Sequence, residues 1–122
     1  MRLRAPAGMR SRVTQELAAA GVSFAAEADG WHHLERAHIL AQPWAWDHIR
    51  IHAAMLHVAL RRRDGIEVRG QLVRLVVAGP GSLVSRYPVG NTGRARVAAL
   101  APMPIADADV REALAASGQP IE

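Results

Sequence analysis

The sequence predicts an all-α protein: four helices in two antiparallel hairpins, of tetratricopeptide-like or bundle type, followed by an extended C-terminal arm. Three observations predict it. Apolar residues recur at steps of three and four through the first two thirds of the chain, the period of a helix with one buried face. Alanine, the strongest helix former, fills 24 of the 122 positions. Glycine and proline come in clusters that cut the periodic stretches into pieces of helix length.

The first helix is read from Val13, Leu17, Ala20 and Phe24, which fall on one stripe. The second places Trp31, Leu34, His38 and Ala41 on one side and ends at Pro43; its start lies either near Ser23 as a cap or after the breaker pair Asp29-Gly30. Trp46, Ile49, Ala53, Leu56 and Leu60 give the third helix its inward row, from Ala45 to about Arg63. Asp64 and Glu67 then form a capping-box-like pair, and Val68, Leu72, Leu75 and Val76 continue as helix four until Gly79-Pro80-Gly81 stops it. From 79 to 109 eight glycines and prolines punctuate the chain, which reads as an arm. In it Asn91, Thr92 and Gly93 suggest a tight turn, and Met103 and Ile105 an extended segment laid on the helices. Asp109 and Glu112, spaced as cap and N3, open a last short helix over 110–117, which ends at Gly118. The expected organisation is a mobile extension at 1–8, with Met9 as a second candidate start, and a single helical domain at 9–122.

Composition excludes several chemistries. Without cysteine there is no disulfide framework, thiolate metal site or cysteine nucleophile. No apolar run approaches the ~18 residues of a spanning helix, so no membrane partner is expected. The net charge of +4 sits wholly in Arg2, Arg4, Arg10 and Arg12, leaving eleven arginines against eleven acids in the body. Arg61, Arg62 and Arg63 lack interleaved aromatics and read as a solvated helix end, which argues against nucleic acid.

All six histidines, His32, His33, His38, His48, His52 and His57, lie in one window of 26 residues. At 100° per residue His38 falls in the inward row of helix two, with Glu35 about 60° away and His32 facing out. On helix three His48 and His52 lie beside Met55 and Ala59 at the flank of the buried stripe, while His57 points outward with Arg50 and Arg61. The short connection Gln42-Pro43-Trp44 makes helices two and three an antiparallel hairpin, in which facing residues have a nearly constant total of their numbers. His38 then faces His48, and Glu35 faces His52. The two ladders, Glu35 to His38 and His48 to His52, therefore meet at one height. Imidazoles and a carboxylate at those spacings offer a site for one Zn, Mn, Fe or Ni ion, and four such ligands close a tetrahedron. The competing reading makes these histidines structural, hydrogen-bonded to Glu35 or backbone, in a tetratricopeptide-like interaction module. A homodimer or a protein partner is compatible with either.

Other chemistries find less support. A ferritin-like di-metal site needs two E-x-x-H motifs and further Glu, and the chain has one such motif. Gly79 to Ser82 and Gly90 to Gly93 match neither phosphate-loop nor dinucleotide patterns. Ser82 and Ser85 have no placed histidine for a triad. Trp31, Trp44 and Trp46, at the hairpin's ends, read as core packing ahead of a cofactor box. No reaction is specified, and no cofactor beyond the one ion.

The strings His33-Leu-Glu-Arg-Ala-His38-Ile-Leu, His48 with His52-Ala-Ala-Met-Leu, Arg61-Arg-Arg-Asp64, Gly70-Gln71, Gly90-Asn-Thr-Gly93 and Pro102-Met-Pro-Ile105 resemble a small bacterial family of unknown function, over roughly residues 10 to 109. The resemblance implies a stand-alone cytoplasmic protein of similar length and brings no activity with it. Arg94 departs from the small residue expected after Gly93.

Overall fold

The computed structural model describes residues 3–83, 87–97 and 101–122. Among them are five α-helices and no strand: α1 (Ala7–Ala25), α2 (Trp31–Ala41), α3 (Ala45–Arg61), α4 (Gly65–Leu83) and α5 (Ala108–Ala116). Helix α1 packs on α2, α2 on α3, α3 on α4, and α5 returns to α2. Among the described residues no helix is long and apolar enough to cross a membrane.

The expected stripe of α1 is the one that packs. Val13 and Ala20 are buried and Leu17 and Phe24 pack against the core. Helix α2 starts after Asp29-Gly30, where the Asp29 carboxylate accepts from the Trp31 N–H, and buries Leu34, Ala37, His38, Leu40 and Ala41. Within the stretch 1–8, expected as a mobile extension, Leu3 and Ala5 bond to α3, the Leu3 carbonyl accepting from the Trp46 N–H and the Ala5 N–H donating to Asp47, and α1 already begins at Ala7.

Helix α3 turns a different face inward from the one its apolar rhythm suggests. Trp46, Ala53 and Leu60 are exposed, and the buried row is Ala45, His48, Ile51, His52, Met55 and Ala59. Apolar residues lie nearly all round this helix, so its pattern leaves the phase undetermined, and polar partners on α2 and α4 draw the histidines to the centre. Trp44 is buried and Trp31 packs at the core's edge, as expected of core residues, but Trp46 faces solvent.

Helix α4 departs further. Gly79-Pro80-Gly81 does not stop it; the helix runs on to Leu83 with Pro80 inside. Pro80 removes one backbone donor in the last turn, and packing of Ala78, Gly79 and Ser82 holds that turn in place. Gly79 lets the helices approach: a Cβ there would lie 2.7 Å from the Ile49 Cδ1. Of the apolar residues read into this helix, Leu72 and Val76 are exposed and Val68 and Leu75 half-buried, while Glu67, Gln71, Arg74 and Ser82 are buried. The Asp64–Glu67 box forms by half: Asp64 Oδ1 accepts from the Glu67 N–H, but the Glu67 side chain turns into the protein.

The arm begins after α4 and not at 79. Of its short apolar pieces, Val84 and residues 98–100 lie outside the described residues. Ile105 enters the core beside Val110 and Leu114. Helix α5 is capped by Asp107 and not by Asp109: the Asp107 carboxylate accepts from the N–H groups of Asp109 and Val110. Arg36 ties this cap down, pairing with Asp107, Asp109 and Glu16.

Candidate metal centre

Helix geometry delivers three imidazoles to one point. His48 and His52 are one turn apart on α3, and His38 stands on the facing side of α2. All three are buried, at 2%, 5% and 2% exposure for His38, His48 and His52. Their Nε2 atoms form a nearly equilateral triangle, 3.0 Å between His38 and His48 and 3.1 Å on the other two sides.

The opposite ring nitrogens explain how the triangle is held. His38 Nδ1 lies 2.7 Å from the Asn91 carbonyl, which can only accept, so this nitrogen carries the proton. Ser82 Oγ gives its own hydrogen to the Gln42 carbonyl and therefore accepts from His48 Nδ1 at 2.8 Å. Gln71 donates its amide to Glu67 and to the Gly93 carbonyl, which fixes the side chain so that Oε1 accepts from His52 Nδ1 at 2.6 Å. Each ring's proton is thus spent on Nδ1. Three Nε2 lone pairs converge with no hydrogen between them, which is the arrangement of ligands around a cation.

Burial keeps the rings neutral. It lowers the His38 pKa well below the ordinary range, with the neighbouring imidazoles adding to the effect. Burial likewise lowers His48 to about 3 and His52 to about 4. Neutral imidazole is the metal-binding form.

The partners of the triad come from α4 and from the turn at 90–93. Glu67, Gln71, Arg74 and Ser82 recur at helical spacing along the inner face of α4. Glu67 is fully buried and accepts from Gln71, from Arg94 Nε at 2.6 Å and from the Ala95 N–H. Burial works to raise its pKa, yet these hydrogen bonds outweigh it and hold the carboxyl below its ordinary value. The turn packs on the site itself. Gly93 has φ +83°, and a Cβ there would lie 2.6 to 2.8 Å from the His38 ring, so glycine is required twice over. Arg94, the departure from the expected small residue, leads away from the triad: it pairs with Glu67 and Glu35 and stacks on Trp31, 3.7 Å from the ring centroid.

Of the four expected ligands, the structure brings together His38, His48 and His52 and leaves Glu35 out of the cluster. The Glu35 carboxylate lies 3.5 Å from Arg94, partly exposed. The 60° between Glu35 and His38 on α2 is enough to put them on different surfaces of the helix. Sequence reasoning missed Gln71, Ser82 and Asn91. A signal existed in the polar residues 67, 71, 74 and 82, a helical stripe that the apolar pattern of α4 overshadowed.

The triad lines a cavity of about 170 Å³, whose other walls include Gln42, Arg74, Val77, Ala78 and Pro88. One side of the imidazole cluster is therefore open to a small molecule. No curated protein and no solved structure matches the chain. The helices that build the site and the turn that closes it all fall within residues 7–114, over which the chain matches, and so belongs to, the family described as "Protein of unknown function (DUF3703)".

Proposed function

We propose that the protein binds one divalent transition-metal ion through the Nε2 atoms of His38, His48 and His52. The observation that carries this reading is the convergence of three lone pairs whose tautomers are fixed by acceptors at every Nδ1. Without a cation, three electron-rich nitrogens at about 3 Å repel one another. An ion about 2.0–2.1 Å from each would sit roughly 1 Å off their plane, with N–metal–N angles of about 95–100°. Those angles fall between tetrahedral and octahedral facial geometry, and both leave positions for water or another ligand. With Glu35 engaged by Arg94, the donor set is three imidazoles, which favours Zn, Fe or Ni over Mn.

Untagged protein analysed for bound metals tests the reading. We expect about one equivalent and a melting temperature that falls on chelation, since an ion at 100 times its Kd adds about 2.7 kcal/mol. Less than a tenth of an equivalent after incubation with each ion, with no chelator effect, would overturn it.

A second reading, a tetratricopeptide-like interaction module or homodimer, is supported by one observation: Leu72, Val73, Val76 and Val77 expose an apolar surface along α4. In this reading the helices form two antiparallel hairpins and the chain a single helical domain. Sedimentation at micromolar concentration tests it, with a monomer that captures no partner through α4 counting against it.

A further inference from the structure

We infer that the cavity beside the three histidines binds a small oxoanion or carboxylate, which completes the coordination of the ion; this rests on the metal reading above. The argument starts from a charge inventory. Among the described residues that line the cavity, Arg74 is the one permanent cation and none is a carboxylate. Arg74 is buried, and its hydrogen bonds go to the carbonyl oxygens of Gly70, Arg94 and Val97. Carbonyls satisfy donors but cancel no charge. Glu67, one and two turns from Gln71 and Arg74 on the same helix face, holds its carboxylate against Arg94, Gln71 and the Ala95 N–H.

Three neutral imidazoles bring no compensating charge to a divalent ion. Glu67 acts electrostatically on Arg74 and His52 but is shared with Arg94, so with the ion in place the described walls would hold about three positive charges that this one carboxylate does not balance. Val77, Ala78 and Pro88 keep part of its surface apolar, so water screens that charge less than it would in the open. Buried charge of this kind needs a counter-charge, and the open coordination position is where one fits. Volume sets the size. About 170 Å³, comparable to a cavity that takes up a benzene-sized molecule, has room for an acetate or bicarbonate. Because the Arg74 donors are already turned to carbonyls, Arg74 contributes as a fixed positive charge and the ion supplies the bond.

Cobalt(II), whose visible bands report coordination, serves as the probe metal. The full chain is loaded with one equivalent and titrated with azide, acetate and bicarbonate, with acetamide as the neutral counterpart of acetate. We expect the bands to shift with each anion, acetate to bind at least ~10-fold tighter than acetamide, and metal-free protein to give no heat with acetate. Compared at full cobalt loading, R74Q should bind acetate ~10-fold or more weaker, and R74K should stay within about 3-fold of the parent. Should R74Q not fold, the acetate and acetamide pair decides the matter in the parent protein. A fully cobalt-loaded protein whose bands do not move up to about 0.1 M anion overturns the inference and leaves the metal reading standing, as does equal binding of acetate and acetamide. Failure to bind cobalt at all overturns both.

Discussion

Helix α4 has two faces, and they are the reverse of what a surface helix usually shows. Its inner face holds Glu67, Gln71, Arg74 and Ser82; its outer face exposes Leu72, Val73, Val76 and Val77. Burying a polar group costs free energy unless it is hydrogen-bonded, and each of these four is bonded, to the histidines, to Arg94, or to backbone carbonyls. The outer residues stay largely in water, although Val77 at their edge also lines the cavity. What the difference teaches is that α4 was placed by its polar network and not by its apolar content. His48 and His52 of α3 are bonded by the same network and His38 of α2 meets them, so the two faces should respond to perturbation very differently.

Acid should produce the largest effect, and it should act on the inner side. In the unfolded chain an imidazole takes up its proton near pH 6.5, whereas in the folded protein His52 does so at about 4 and His48 at about 3. Between those values the unfolded state binds more protons, so stability is complete above 6.5 and is lost as the pH falls through the folded values. For His52 alone that loss is on the order of 3 kcal/mol. Glu67, held below its ordinary value, adds a loss in the same direction below about 4.5. Urea titrations of metal-free protein from pH 7 to 4 measure it; a flat profile across that window would show that the histidines are not buried together. Next comes Glu67→Ala, which strands the Arg94 guanidinium and the Gln71 amide and should cost about 3 kcal/mol in the same assay. A cost under about 1 kcal/mol would mean the network does not hold α4.

How much of this was legible in the sequence follows from the same contrast. The helices α1 and α2, where apolar residues face inward, were read with their buried rows nearly as they are, Val13, Ala20, Leu34 and His38 among them. The inward row of α3 was read out of phase, because Trp46 and Leu60 fit a three-four rhythm as well as Ile51 and Met55 do, and only the partners of His48 and His52 decide between them. On α4 the apolar residues mark the helix but not its buried face, which is polar. The three histidines were found through hairpin register, a local geometric constraint. Gln71, Ser82 and Asn91 were not, since each depends on a contact between elements far apart in the chain. Glu35 was included on spacing alone, and what diverts it is Arg94, 59 positions on.

A smaller effect, specific to the metal, is expected from Gln71→Leu. The substitution removes the acceptor of the His52 Nδ1–H, leaving that ring free to move its proton to Nε2 and withdraw a lone pair from the cluster. Zinc affinity, measured by competition with a chromophoric chelator, should fall about 10- to 100-fold, the usual cost of removing a group that orients a metal-bound histidine. An unchanged affinity would mean that His52 is held by packing without its acceptor.

Val76→Ser addresses the outer face and should do least. Val76 is 74% exposed, so its methyl groups are already in water, and serine loses only a little helix propensity. Stability should change by no more than about 0.5 kcal/mol and zinc affinity not at all. The protein concentration at which this is measured gives the experiment its force. If the valine packs against a second copy in solution, the cost rises to the ~1–3 kcal/mol of a buried methyl pair and grows with protein concentration. A concentration-dependent cost would therefore show that the outer face of α4 is covered after all, and that its apolar residues and its buried polar ones serve two different partners.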